Sequence, residues 1–142
     1  MRREWGADKG VTAAGRHRKT LVDNLARCRA ALDEFDPDVV VVWGDDQYEN
    51  FREEIIPPFC VLAYDDLEVE PFELMNERGS PNAWGLPDDT TITVHGSADK
   101  GRWLTNELID RGFDMAYSYR KRENSAFPHA IVNTQLFLDY PD

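Results

Sequence analysis

The sequence is poor in the residues from which dedicated chemistry is usually built. It holds two cysteines and three histidines in 142 residues. Cys28 and Cys60 lie far apart with no Cys-x-x-Cys or Cys/His companion spacing, which argues against a thiolate metal centre or a redox dithiol. Cys28 falls on the apolar stripe of a predicted helix and Cys60 within a predicted strand, so both are expected as small buried hydrophobes. No apolar run approaches the ~18 residues of a membrane-spanning helix. The N-terminal "MRREWGADKG" lacks the apolar core of a signal peptide, and a soluble, cytoplasmic protein is expected. Positive charge is also scarce: 16 Lys and Arg against 27 Asp and Glu give a net charge of −11. Such a surface repels phosphate, which argues against nucleic acid and against anionic membranes as partners. Finally, there is no G-x-x-x-x-G-K-[ST], no G-x-G-x-x-G after a strand, no G-x-S-x-G and no H-E-x-x-H. Nucleotide binding and serine-nucleophile hydrolysis have no local support.

What is present is ordinary globular composition, 42% hydrophobic and 30% charged, in a chain one domain long. Residues 1–17 are polar, carry Gly6, Gly10 and Gly15, and are expected to be irregular. From Arg18 to Phe35, Leu21, Leu25, Cys28, Leu32 and Phe35 recur at helical spacing, and "DPD" at 36–38 ends the pattern. Val39 to Trp43 is a continuous β-branched run, the mark of a strand buried on both faces. Further strands are expected at 59–64, 91–96 and 113–119, with the acidic, proline-bearing 65–90 as a long excursion. Ser97 is a candidate N-cap for a helix over 98–111, with Leu104 and Leu108 inward and Gly112 as its C′ residue. The segment "HAIVNTQLFLDY", 129–140, fits helix or strand. The pattern predicts an α/β fold, a layered α/β/α domain with a central, largely buried sheet.

Three places remain for chemistry. The turn "GDDQYENF" follows the valine run, where ligands of α/β sheets collect. Its Asp45, Asp46, Gln47 and Glu49 offer oxygen donors for a divalent cation, or they cap the chain that follows. His95 comes directly after "TITV", at another strand end, and His129 opens an apolar segment after the basic "RKRENSAFP". Each suits acid–base work near neutral pH, and each is equally at home as a solvated or structurally bonded imidazole. His17, in "GRHRK", reads as surface charge.

"PDVVVVWGDDQYENFREEIIPPF", followed in order by "GFDMAYSY" and "PHAIVNTQLFLDY", resembles class III extradiol ring-cleavage dioxygenases, the family of the protocatechuate 4,5-dioxygenase beta subunit. The resemblance runs from about Arg18 to Tyr140, so residues 18–142 are expected to be the central part of such a catalytic domain, an incomplete portion of a larger domain. It implies a non-haem Fe(II) site of two histidines and a glutamate, a small catecholic substrate and O2. It matches His129 to an outer-shell acid–base histidine, with His95 as a second catalytic candidate. Gln47 stands where many members carry the second iron histidine, and Asp46 or Glu49 is the alternative donor. The first iron histidine and the glutamate belong to parts of the family outside the resemblance, so weak Fe(II) binding by this chain is expected. Two rival readings remain: a noncatalytic relative that binds a ligand, or associates with itself or a partner through exposed sheet edges, and a metal-dependent hydrolase using Asp45, Asp46 and Glu49.

Overall fold

A computed structural model describes residues 4–77, 79, 80, 82 and 84–139. The elements in chain order are α1 (Val11–Phe35), β1 (Cys60–Leu62), β2 (Leu67–Val69), α2 (Glu73–Glu77), β3 (Ile92–Val94), α3 (Ala98–Asp110), β4 (Ala116–Ser118) and α4 (His129–Leu138). The chain divides into two compact units, one formed by the part up to Val40 with the stretch from Thr134, the other by Val41–Asn133.

In the first unit, α1 begins seven residues before the apolar stripe predicts. Asp8 explains the early start: its carboxylate accepts the N–H groups of Gly10 at 3.1 Å and Thr12 at 2.9 Å, satisfying donors that a helix start leaves open. Residues 11–17, expected to be irregular, are therefore helical. The helix ends as expected at Asp36, a left-handed cap whose N–H returns to the Leu32 carbonyl before Pro37. The buried face is not the expected one. Ala13 and Val22 are buried, whereas Leu21 and Phe35 are exposed and so is Cys28. Within this unit the stretch from Thr134 is joined to α1 through the Arg29–Asp139 ion pair. The described residues of this unit include no strand for the stripe to pack on.

The second unit carries the sheets. β1 pairs with β4 in parallel, Cys60 opposite Ala116 and Leu62 opposite Ser118. Parallel pairing requires a long crossover, and β2, α2, β3 and α3 supply it. Within that crossover β2 and β3 pair antiparallel, Leu67 opposite Val94. The mixed α/β class thus holds, but two two-stranded sheets replace the single central sheet that was expected. Residues 39–43 form no strand. Val41 and Trp43 are 70% and 81% exposed, and no ladder engages the run. A β-branched run makes an extended chain favourable, but burial needs a neighbour, and no described segment pairs with it.

Other expectations fare better. α3 matches its predicted span within a residue, although Ser97 makes no side-chain cap bond. Its end is the predicted glycine stop. The N–H of Gly112 bonds to the Ile109 carbonyl and that of Phe113 to the Leu108 carbonyl, which is the Schellman pattern. α3 reaches β1 through a glycine: a Cβ on Gly101 would lie 2.6 Å from the Ala63 Cβ, so only a bare Cα permits this approach. Phe72, Ala63, Val69, Ala98 and Thr105 are buried in this unit, and the Tyr64 hydroxyl ties the end of β1 to Ser118 of β4 at 2.9 Å. The ambiguous segment resolves over His129–Leu138 as α4, with Tyr140 outside the described residues; the helix is opened by Pro128, whose carbonyl accepts the N–H groups of Ile131 and Val132. No helix among the described residues is long and apolar enough to cross a membrane.

Candidate active site

The acidic turn meets the start of α4 by a steric route. A Cβ on Gly44 would fall 2.6 Å from the Ala130 Cβ, closer than carbon atoms approach, so glycine there lets the chain pass directly over the first turn of α4. The turn itself is tied by Asp46. Its carboxylate accepts the backbone N–H of Asn50 at 3.0 Å, the Asn50 side-chain amide at 2.9 Å and the N–H of Phe51 at 3.0 Å. This is the capping role weighed for the turn, without a helix behind it. A second tie comes from the loop before α4, where the Arg122 guanidinium donates to the Asn50 carbonyl at 3.3 Å.

Within this frame Gln47 and Glu49 point to different tasks. The Gln47 side-chain amide donates to Asp45 at 2.9 Å, and that bond holds the Asp45 carboxyl below its usual range. Glu49 turns inward: its side chain is only 2% exposed. One carboxylate oxygen accepts the Gln47 backbone N–H and the other meets Nδ1 of His129. The His129 side chain itself remains 38% exposed.

Gln47, Glu49 and His129 line one cavity of about 310 Å³, walled on its apolar side by Leu74, Trp84 and Phe127. Its size lies at the lower end of small-molecule pockets, room for a single substituted ring. The sequence-derived candidates therefore separate. Gln47, Glu49 and His129 come together. Asp46 does not line the cavity, and neither does His95. His95 is 78% exposed and pairs instead with Asp66 at 3.0 Å, while Asp66 also accepts the Gly96 N–H. Those two bonds hold the Asp66 carboxyl below its ordinary value. His17, as expected, is a surface residue, paired with Glu4 at 3.2 Å.

Iron is the cofactor that the sequence resemblance implies, and the donors present do not make a site for it. Among the described residues no group of three or more His, Cys, Asp or Glu converges. Both Asp46 oxygens are bonded to N–H groups of the turn, and both Glu49 oxygens are engaged by Gln47 and His129. A carboxamide oxygen on Gln47 is a weak donor by itself.

Sequence reasoning missed three contributors. The wall residues Trp84 and Phe127 lie in stretches with no periodicity, and nothing in the sequence marks them. The Glu49–His129 pair joins residues 80 positions apart. Gly44 and Ala130, small residues flanking the turn and the histidine, are the available signal for that juxtaposition.

An α/β chain that brings a histidine, a carboxylate and an amide to one ring-sized cavity has the parts of a small-molecule enzyme site. Similarity to characterised proteins narrows the class. The chain is 44% identical over 82% of its length to a 2,3-dihydroxyphenylpropionate/2,3-dihydroxicinnamic acid 1,2-dioxygenase of Paraburkholderia xenovorans, covering 32% of that protein. It is 49% identical over 66% of its length to the protein of that name from a Mycobacterium species, covering 25% of it. The Comamonas testosteroni protein of the same name is 30% identical over 75% of the chain, which covers 28% of it. The chain thus spans about a quarter to a third of the length of these relatives. No protein-family model matches the chain. No solved structure matches it significantly.

Proposed function

We propose that this chain is part of an extradiol ring-cleavage dioxygenase acting on a small catecholic compound with O2, and that it carries the substrate cavity and the proton-transferring histidine. The observation that carries this reading is the convergence of His129 and Gln47 on one ring-sized cavity, in a chain similar over most of its length to proteins named as dioxygenases. Trp84 and Phe127 offer aromatic surface against which a catechol ring packs. His129 supplies a group able to take a hydroxyl proton near neutral pH. Fe(II), when bound in enzymes of this class, supplies open coordination positions for the hydroxyls and O2. The donors in this chain do not amount to that site, and we infer that the complete metal set is assembled with parts of the relatives that the chain does not span.

The test is binding of a catechol to the chain, followed by side-chain and backbone NMR. Shifts concentrated at Trp84, Phe127 and His129, lost in His129→Ala, are expected. Shifts scattered over the surface, or none at millimolar catechol, would remove the reading. A second reading, association with another copy or a partner, is favoured by the exposure of Val41 and Trp43. Sedimentation equilibrium with and without Val41→Lys separates it, since a monomer in both cases leaves it without support.

A further inference from the structure

We propose that Glu49 is the positioning residue for His129, fixing which ring nitrogen carries the proton and which faces a bound molecule. The proposal rests on the reading of His129 as the proton-transferring group, and it assigns Glu49 a role other than metal donor.

Burial supplies the first argument. A carboxylate only 2% exposed is costly unless its oxygens are fully bonded. Glu49 meets that condition with two partners, the Gln47 N–H and His129 Nδ1, and no other side chain is hydrogen-bonded to it among the described residues. Replacing His129 leaves a buried acceptor open, whereas the Gln47 partner is a main-chain N–H that side-chain substitution does not remove.

Backbone geometry supplies the second. Tyr48, immediately before Glu49, adopts φ 68°, a left-handed conformation that non-glycine residues rarely take. The consequence is directional. Tyr48 stays 58% exposed, with its hydroxyl on Glu53 at 3.2 Å, while Glu49 turns inward under His129. The Asp46 bonds to Asn50 and Phe51 hold the turn in that shape from the other side. Strain maintained by surrounding bonds is the pattern expected where a side chain is aimed for a purpose.

Chemistry supplies the third. A carboxylate only accepts, so the nitrogen bonded to it must carry the hydrogen. Nδ1 is therefore the N–H of His129, and in the neutral ring Nε2 holds the lone pair. Nε2 is then the nitrogen left for a molecule in the cavity that His129 lines. A catechol hydroxyl transfers its proton to Nε2: the O–H bond breaks, the N–H bond forms, and a catecholate and an imidazolium result. Glu49 stabilises that cation through the Nδ1–H bond already in place. The proton returns from Nε2 to the product. Without Glu49 the ring is free to present Nε2–H, which cannot accept a proton.

Long-range proton–nitrogen NMR of the chain with nitrogen-labelled histidine reads the tautomer directly and needs neither iron nor turnover. At a pH well above the ordinary histidine value of ~6.5, His129 should show a single Nδ1–H form. E49Q should lose that preference and give a mixture, whereas E49D should recover part of it. Nε2–H as the major form in the unaltered chain overturns the proposal, and so does an unchanged tautomer in a folded E49Q. Should E49Q not fold, the tautomer of the unaltered chain decides alone. Catechol binding separates the two readings. An Nδ1–H form with no catechol shifts sinks the dioxygenase reading and leaves the Glu49–His129 pair standing.

Discussion

Gly44 and Ala130 are in contact so close that a single added methyl would bring carbons to 2.6 Å. The consequence is local and chemical, because the contact lies between the start of the Asp45–Phe51 turn and the residue after His129. Gly44→Val should therefore push the turn off α4, at a cost of about 1–3 kcal/mol of stability from overpacking. Urea unfolding gives the cost, and the His129 ring signals give the displacement. A Gly44→Val chain with unaltered His129 signals would show that the contact does not set the site.

The two cysteines should differ sharply in reactivity. Burial pushes the Cys60 thiol up to about 11, and the nearby Asp46 charge adds to the shift. Cys28 is exposed. At neutral pH iodoacetamide should label Cys28 well before Cys60, since the thiolate is the nucleophile. Asp46→Asn should speed Cys60 labelling in the folded chain. Equal labelling rates by peptide mass mapping would contradict the burial assigned to Cys60.

The same shift predicts an alkaline loss of stability. The unfolded chain gives up the Cys60 proton around its ordinary value of 9.0, whereas the folded chain keeps it until about 11. Unfolding then releases a proton in that window, so stability falls as pH rises from 9 toward 11. Below 9 the effect vanishes, because both states hold the proton. Tyr64, pushed up mainly by burial, contributes in the same direction at higher pH. Urea midpoints across this range should drop less in Cys60→Ala than in the unaltered chain.

These shifts were not legible in the sequence, and the reason is instructive. Elements closed by local bonds could be read: α3 and its Gly112 stop depend on groups within a few residues of each other. The β1–β4 pair was half legible, because each run could be read as a strand but their register rests on cross-strand bonds between distant residues, Ala116 N–H to the Phe59 carbonyl and Ala63 N–H to the Ser118 carbonyl. β2 was missed, as "LEV" sits in an acidic stretch and becomes a strand only by pairing with β3. The run 39–43 shows the converse. Four valines describe a strand's preference, but pairing is a property of the neighbour, and no described neighbour pairs with it. At the site, Gln47 and His129 were legible as candidates, whereas the inward turn of Glu49 depends on the backbone at Tyr48.

Asp66 and His95 offer an acid-side test away from the cavity. The hydrogen bond to His95, followed by that from the Gly96 N–H, holds the Asp66 carboxyl below its ordinary 3.8. A carboxyl lowered in the folded state adds stability above its unfolded value, and that stability is lost as pH falls through the lower folded value. His95→Ala should move the Asp66 titration back toward 3.8, as read by carboxyl-carbon NMR. An unmoved Asp66 would mean that the Gly96 N–H alone sets it.

Iron binding is the most direct measure of how much of a dioxygenase site this chain holds. An Fe(II) centre of the proposed class needs three protein donors, and no group of three His, Cys, Asp or Glu converges among the described residues. Asp46 and Glu49 already bond to N–H groups of the turn and to His129, so recruiting either to a metal breaks bonds that shape the cavity. Affinity follows from the number and type of donors held in fixed geometry, and here both are low. The chain loaded anaerobically with Fe(II) should therefore lose the metal on gel filtration. It should also form little of the yellow ring-opened product when given 2,3-dihydroxyphenylpropionate or protocatechuate in air. The cavity predicts a different result for binding alone: catechol shifts at His129 should persist without iron. Retention of one iron per chain with turnover abolished by His129→Ala would show that the metal site is complete within these residues, and that its donors are other than those named here.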